Sequence, residues 1–432
     1  MHWRRFIRPA AALFSWLLGE EHDLSSSSCL QTAVSIEGLV SCLDTYTVPH
    51  NYYNAMTYDL AQPVGTQRRD WSTAVQSLLS VDGDCASVRI PLSLRGMYAI
   101  ETFGAHCVLY ETTSRCGTYL KGWGYVIVPA RRSSVSRNLH VSAPHPGYDL
   151  GTVEQAAAVY EATGAKSLLV TGRTRTAFLK SSACIPPTSP SQDYYTTDPA
   201  HNDEEPFFDA SMAIRDWQYL THGGCPSSSC GFLQMHGKGR RTCASVDIFL
   251  SSGLGNSPSS KRWYTDDTDR PIKRLQGRLQ EQFPERNVSL PADSSCILTA
   301  TKNVVGRALN GVSTHAVCGM PATPLTASGE FLHAEQASGP RMPGNYQAWA
   351  RAVRDTFEPS CAEGMVVDKD TKLCIPSNGG RFTSAAFAGS WTNARHLRED
   401  LARSWLGILL DPHKWMGVWY YFMSYLTMMQ FM

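Results

Sequence analysis

Asn138–Arg175, NLHVSAPHPGYDLGTVEQAAAVYEATGAKSLLVTGRTR, contains the pattern that decides the fold class. An apolar run ends at Ala143–His145, a turn follows at Pro146–Asp149, and a helical pattern runs from Thr152 to Gly164. Ser167–Val170 then has the composition of a short buried strand. The order strand, loop, helix, strand is the unit that builds a parallel sheet in α/β proteins.

Strand and helix patterns continue to alternate from residue 138 to residue 357. We therefore expect an α/β fold with a mixed, largely parallel sheet flanked by helices. The further segments with strand-like patterns are Ser87–Leu92, Met97–Phe103, His106–Glu111, Gly124–Pro129, Gly231–Met235, Ser245–Leu250, Ile297–Ala300 and Glu330–Ala337. Those with helical patterns are Phe207–Leu220, Pro271–Phe283, Val304–Asn310 and Asn345–Phe357.

The domain organisation that we expect has four parts. Residues 1–24 resemble a signal peptide, because Arg4, Arg5 and Arg8 precede the apolar Ala10–Gly19. Residues 25–84 are polar and are predicted to be an irregular N-terminal region, and residues 85–360 are predicted to form the α/β domain. Residues 361–432 are predicted to be a C-terminal extension.

The C-terminal end of that extension, Trp415–Met432, is uncharged, aromatic and rich in methionine. It is only just long enough to span a bilayer. A membrane anchor, an amphipathic surface helix and a tail outside the folded domain remain alternatives, and we prefer the tail. Membrane contact is expected only through this segment.

Composition favours a secreted protein and excludes some partners. The chain has 432 residues and a formal net charge of +1, so nothing indicates a nucleic-acid-binding protein. Its 13 cysteines are dispersed and form no CxxC, a pattern typical of disulfides rather than of a thiolate metal site. Because the number is odd, at least one thiol stays free unless it pairs between chains. The glycosylation sequon at Asn287–Ser289 is compatible with secretion.

Three polar clusters follow or end predicted strands: His145 with Asp149, then His236, then Glu335. In open α/β sheets, sites gather beyond the carboxyl ends of the strands. Imidazole and carboxylate ligands suit zinc, and a catalytic zinc site uses three protein ligands and leaves one position open. A nearby carboxylate can act as general base. This pattern indicates a zinc site.

Each of these residues also has an ordinary structural interpretation. A histidine after a strand is commonly held by hydrogen bonds in the core. Asp149 could cap the helix that follows it, as Thr152 could. Glu335 could be a surface carboxylate. The metal-site interpretation therefore depends on the combination, in which all three clusters occur at strand ends.

The motifs Ala143-Pro-His-Pro-x-x-Asp149, Ala200-His-Asn202, Gln234-x-His-Gly237 and His333-x-Glu-Gln336 resemble those of a group of secreted fungal and bacterial proteins. Their order also resembles zinc carboxypeptidase-like hydrolases, including the poly-γ-glutamate hydrolase and desuccinylase branches. The resemblance implies a three-layer architecture. It also implies His145, an acidic residue and His236 as zinc ligands and Glu335 as catalytic base.

The chain departs from that family at the first metal loop. The family has His-x-x-Glu, whereas this chain has His145-x-x-x-Asp149. Glu154 is a second candidate for the acidic ligand, but it lies on the predicted helix. We prefer Asp149, because a short loop can bring both side chains to one ion.

Substrate contacts are predicted for three further residues. His201 and Asn202 end the polar loop Asp198–Asn202, and we prefer substrate contact to metal binding for His201. Asp and Asn side chains could also simply stabilise a turn there. Arg173 follows the strand Ser167–Val170, and a guanidinium can hold a carboxylate through two parallel hydrogen bonds.

We therefore expect a zinc-dependent hydrolase of an amide or peptide-like bond that acts on a small-molecule or peptide substrate. The alternative is a non-catalytic secreted binding protein that keeps the fold. A metal-dependent phosphoesterase usually needs two ions and more carboxylates. Serine-hydrolase and phosphate-loop motifs, GxSxG and GxxxxGK[ST], are absent from the sequence.

Overall fold

The computed structural model describes residues 26–187 and 193–377, which belong to one compact unit. The predicted signal peptide and the apolar segment Trp415–Met432 lie outside the described residues. The helices are α1 Ser28–Thr32, α2 Ile36–Asp44, α3 Ala55–Ala61, α4 Gln67–Leu79, α5 Thr152–Thr163, α6 Pro206–His222, α7 Pro258–Thr265, α8 Pro271–Gln282, α9 Val304–Leu309 and α10 Tyr346–Thr356.

Nine strands form the main sheet: β1 Tyr98–Phe103, β2 His106–Glu111, β5 Tyr125–Pro129, β6 Arg137–Ala143, β7 Ala165–Val170, β8 Cys230–Gly237, β9 Ile248–Ser251, β10 Val288–Ser289 and β11 Phe331–Gln336. Two hairpins lie outside it, β3 Ser114–Arg115 with β4 Thr118–Tyr119, and β12 Met365–Val367 with β13 Cys374–Pro376.

The main sheet is mixed, with a parallel centre. Its order is β1-β2-β5-β7-β6-β8-β11-β9-β10. The four central strands β7, β6, β8 and β11 are mutually parallel, whereas β5 and β9 join them in antiparallel orientation. The expected α/β class is confirmed. Because the central strands are parallel, the ends of β6, β8 and β11 meet at one edge of the sheet.

Side chains alternate between two apolar layers, one on each face of the sheet. Leu168 and Val170 of β7 pack with α2, α5, α8 and α10, whereas Leu169 packs with α4, α6 and α9. In β11, Leu332 faces the first layer and Phe331 the second. The period of two along buried strands therefore produces a three-layer arrangement of helices, sheet and helices.

Three segments differ from their sequence-based description. Residues 28–79, expected to be irregular, contain four helices, and residues of α2 and α4 are buried in the two layers. Ser87–Leu92 forms no strand, since short 3-10 turns occupy Cys85–Ser87 and Leu92–Leu94 around Pro91. Ile297–Ala300 is an extended loop that ends at Ala300, whose φ of 54° is incompatible with a continuing strand.

Twelve of the 13 cysteines, all of which lie in the described residues, form six disulfides, and Cys116 is the exposed free thiol. The pairs are Cys29–Cys42, Cys85–Cys107, Cys184–Cys318, Cys225–Cys230, Cys243–Cys296 and Cys361–Cys374. Such a set is typical of proteins from an oxidising compartment. No helix within the described ranges has the length and apolar character needed to span a membrane.

Candidate metal centre

The candidate site lies where the central strands end. His145 lies two residues after the end of β6, and His236 is the penultimate residue of β8. Glu335 in β11 is the register partner of His236, because β8 and β11 pair in parallel. The three elements therefore bring residues that are up to 190 positions apart in sequence to one edge of the sheet.

The loop between β6 and α5 brings Asp149 back to His145. The backbone N–H groups of Tyr148 and Asp149 both donate to the carbonyl oxygen of His145, at 3.2 and 2.9 Å. Gly147 has a φ of 67°, a left-handed conformation that glycine adopts without the cost that a Cβ atom brings. This tight turn places a carboxylate and an imidazole four residues apart against each other.

Three side-chain atoms converge at this point. His145 Nδ1 lies 3.0 Å from Asp149 Oδ2 and 3.2 Å from His236 Nδ1. The distance from His236 Nδ1 to Asp149 Oδ2 is 3.5 Å. All three residues are buried, with exposed fractions of 2–4%. They form a group whose geometry can hold a metal ion.

The second nitrogen of each imidazole is fixed by a buried partner. His145 Nε2 lies 3.1 Å from Asp198 Oδ1, and His236 Nε2 lies 2.9 Å from Gln234 Oε1. The Gln234 oxygen also accepts from Asn303 Nδ2 at 2.5 Å. Since a carboxylate and an amide oxygen only accept hydrogen bonds, both Nε2 atoms carry a proton. In its neutral form, each ring therefore presents a lone pair at Nδ1.

As a result, two imidazole lone pairs and a carboxylate oxygen face one another in a buried site. Acceptors cannot satisfy one another, so a proton or a cation must lie among them. Ligands roughly 2.0–2.2 Å from a tetrahedral zinc ion are separated by roughly 3.3–3.6 Å. The separations of 3.0, 3.2 and 3.5 Å are close to that geometry.

The ionisable groups of the site shift one another's pKa values. Burial lowers the pKa of His236 to about 4. Burial and Arg175 lower the pKa of His145, but Asp149 and Asp198 outweigh them and raise it above its usual value. Burial opposes ionisation of Asp149, yet the two imidazoles hold its pKa below its usual range. Burial and the neighbouring charges therefore shift the pKa values of the two imidazoles in opposite directions.

Glu335 faces a cavity of about 270 Å³ that opens beside the three convergent atoms. The cavity is lined by His145, Arg175, Tyr194, Ala200, His201, His236, His333, Glu335 and the wall segment, residues 297–303. Burial raises the pKa of Glu335 to about 8, and the nearby charge of Asp149 adds to this effect. A carboxyl group with this pKa can exchange protons near neutral pH.

Of the predicted substrate contacts, His201 lines the cavity and stacks on Tyr194, with 3.9 Å between ring centroids. Asn202 instead donates through Nδ2 to the carbonyl oxygen of Thr196 at 2.7 Å, which holds the loop. It is not part of the cavity lining.

Arg173 is fully buried away from the cavity lining. Its Nε and Nη2 donate to the two carboxylate oxygens of Glu205 at 2.7 and 2.8 Å. Arg175, two residues later, does line the cavity, forms an ion pair with Asp198, and lies 5.2 Å from the ring centroid of Tyr148. The structure thus brings a different guanidinium of the same loop to the site.

Glu154, the alternative acidic ligand, lies in the first turn of α5. It is near Glu37 of α2, where burial and the charge of Glu154 together raise the pKa of Glu37. Asp149, and not Glu154, therefore belongs to the group that converges with the two imidazoles.

Sequence reasoning did not find Asp198 or Gln234 as site residues, and it preferred Arg173 to Arg175 because Arg173 is nearer the strand end. Asp198 begins the same Asp-Pro-Ala-His-Asn motif that drew attention to His201, and Gln234 lies two residues before His236 on the same strand face. Because side chains two positions apart on a strand point to the same face, the position of Gln234 in β8 indicates that it lies beside His236.

No protein-family model and no curated protein matches the chain. Among solved structures, the gene product Atu2144 from Agrobacterium tumefaciens matches with 14% identity over 53% of this chain and 88% of that chain, at a TM-score of 0.28. A metallo-carboxypeptidase from Burkholderia cenocepacia matches with 10% identity over 68% of each chain, also at a TM-score of 0.28. Neither match assigns the chain to a family.

Proposed function

We propose that this protein is a zinc-dependent hydrolase of an amide or peptide-like bond, with His145, Asp149 and His236 as metal ligands. The observation that carries the proposal is the convergence of His145 Nδ1, His236 Nδ1 and Asp149 Oδ2 within 3.5 Å of one another. Three ligands with an open cavity beside them match the requirement of a catalytic site rather than of a closed structural one.

The outer partners support the same assignment. Metal-binding histidines commonly donate their other N–H to a carboxylate or carbonyl oxygen, which fixes the ring orientation. Asp198 and Gln234 accept these bonds here, so both Nδ1 atoms stay directed at one point. When bound there, zinc supplies a Lewis acid that polarises a carbonyl group and makes water more acidic.

Glu335 is the proposed general base. It lies beside His236 in the sheet and faces the cavity, so it can take a proton from water and return it to the leaving nitrogen. Arg175 replaces Arg173 as the proposed contact for a substrate oxygen, because its guanidinium lines the cavity. His201, stacked on Tyr194, is the proposed contact for a polar group of the substrate.

Metal analysis tests the proposal without a known substrate. Untagged protein, purified under oxidising conditions and dialysed, should contain about one zinc ion per chain. His145→Ala and His236→Ala should lose it, whereas His315→Ala, at an exposed position, should keep it. A dialysed wild-type protein without zinc that also fails to take up added zinc would overturn the metal assignment.

The base assignment needs a hydrolysis assay, for which acyl-amino acids and peptides are the compounds to screen. Glu335→Gln should retain zinc and lose hydrolysis, because an amide cannot accept the proton of water. Glu358→Gln, at an exposed position, is the matched control. Full activity of Glu335→Gln would remove Glu335 from the mechanism, and zinc binding with no hydrolysis of any amide would favour a binding protein.

A further inference from the structure

His333 is a buried cavity residue that the proposed reaction does not use. It precedes Glu335 by two positions in β11, so both side chains project from the same face of the sheet. Its exposed fraction is 5%, and it lines the cavity. The distance from His333 Nε2 to Glu335 Oε1 is 3.7 Å, which is too long for a hydrogen bond.

The hydrogen-bonding capacity of His333 is also unmet at its other nitrogen. Among the described residues, His333 Nδ1 and Ser251 Oγ are both buried atoms without a hydrogen-bond partner. Ser251 is the register partner of His333 on β9, so the two side chains lie on the same face of the sheet. Buried polar groups left in this state call for an unseen ion or water.

We infer that His333 and Glu335 form a second, weaker site for a divalent zinc-like cation inside the cavity. His333 Nε2 and Glu335 Oε1 are separated by 3.7 Å, close to the roughly 3.3–3.6 Å expected for two ligands of one zinc ion. With Nε2 bound to the ion, Nδ1 carries the proton, and Ser251 Oγ, which also lacks a partner and lies on the same face of the sheet, is its proposed acceptor.

His236 lies close enough to join these two residues as a metal-binding group. Its Nδ1 is directed at His145 and Asp149, however, and its Nε2 is bonded to Gln234. The second site therefore has two protein ligands, with water completing the coordination. Arg175 faces the same cavity and opposes a further positive charge. Both features make the second site weaker than the first.

Occupation of this site would have a regulatory consequence, which rests on the proposed function. A cation on Glu335 Oε1 occupies the carboxylate that would take the proton from water. Excess zinc should therefore reduce hydrolysis, although the first ion stays bound.

Zinc titration of the metal-free, untagged full chain by calorimetry tests the second site, with zinc itself as the probe. The wild type should show two classes of zinc site. The second should bind zinc about 10- to 100-fold more weakly than the first, which is the loss of affinity that follows removal of one hydrogen-bond partner of a metal ligand. His333→Phe, which keeps a ring in the same place, should lose the weaker class and keep the tighter one. His145→Ala should show the opposite pattern, and His315→Ala should show both classes.

The outcomes separate the two proposals. One tight class in both the wild type and His333→Phe overturns the second site and leaves the first intact. No binding by the wild type overturns both. Retention of the tight class and of the far-UV circular dichroism spectrum shows that His333→Phe is folded. If His333→Phe fails this check, Ser251→Ala replaces it, and an unchanged weaker class in a folded Ser251→Ala variant contradicts the geometry that we infer.

Discussion

Substitution of Arg173 by methionine should destabilise the protein strongly. Arg173 and Glu205 are both fully buried, and two hydrogen bonds of 2.7 and 2.8 Å join them. Removing one partner leaves an uncompensated buried charge, which typically costs about 3–5 kcal/mol. Tyr58 donates only a single further hydrogen bond, of 3.2 Å, to Glu205, so it cannot replace the guanidinium. We therefore expect Arg173→Met to lose about 3–5 kcal/mol of unfolding free energy.

Equilibrium unfolding in urea, with the disulfides kept oxidised, measures this loss. The Arg173→Met/Glu205→Leu double variant should recover much of it, because no unpaired charge then remains. Asp209→Asn, which removes the partly exposed Arg68–Asp209 pair, is the control and should cost at most about 1 kcal/mol. A loss below about 1 kcal/mol for Arg173→Met, together with weaker substrate binding, would refute the structural role and restore the role of substrate contact.

Two other changes test the electrostatics of the interior. Gln234→Leu should weaken zinc binding by about 10- to 100-fold, because His236 loses the acceptor that fixes its ring. Chelator competition measures the zinc affinity, and an unchanged affinity would contradict this prediction. Burial raises the pKa of Glu330 to about 7, so its contribution to stability is complete below pH 4.5, the ordinary glutamate value, and is lost as the pH rises through 7. Glu330→Gln should remove about 3 kcal/mol of the change in unfolding free energy between pH 4.5 and 7. Unfolding curves measure this change, with Glu285→Gln, at an exposed position, as the control. An unaltered pH profile of stability would contradict the prediction.

Much of the fold follows from local sequence signals. The apolar runs of β6, β7 and β11 and the helical spacing of α5, α8 and α10 predict those elements closely, because each is periodic and bounded by turn residues. Ile297–Ala300 has the composition of a strand, but it forms a loop. Cys296, which directly precedes this segment, forms a disulfide with Cys243, and Ala300 at its end adopts a positive φ. Such tertiary constraints leave no trace in local composition.

The site was less predictable than the fold. His145, Asp149 and His236 could be proposed because strand ends in a parallel sheet meet, which is a general property of the architecture. The sequence favoured Arg173 over Arg175, because the pairing of Arg173 with Glu205, which lies 32 residues further along the chain, leaves no local signal. The partners that orient the imidazoles likewise come from separate loops and strands.

Two sides of the cavity are held in place in different ways, one by the hydrogen bonds of the sheet and the other by disulfides. The three convergent side chains stand on the hydrogen-bonded centre of the sheet or on the short loop after β6. The wall segment instead follows Cys296, which is bonded to Cys243, and the loop that carries Tyr194 and His201 is tied through Cys184 to Cys318. Reduction should therefore speed amide hydrogen exchange in the wall segment well before the sheet opens, so that a protein made in a reducing compartment would keep the three convergent side chains together while the cavity wall loosens.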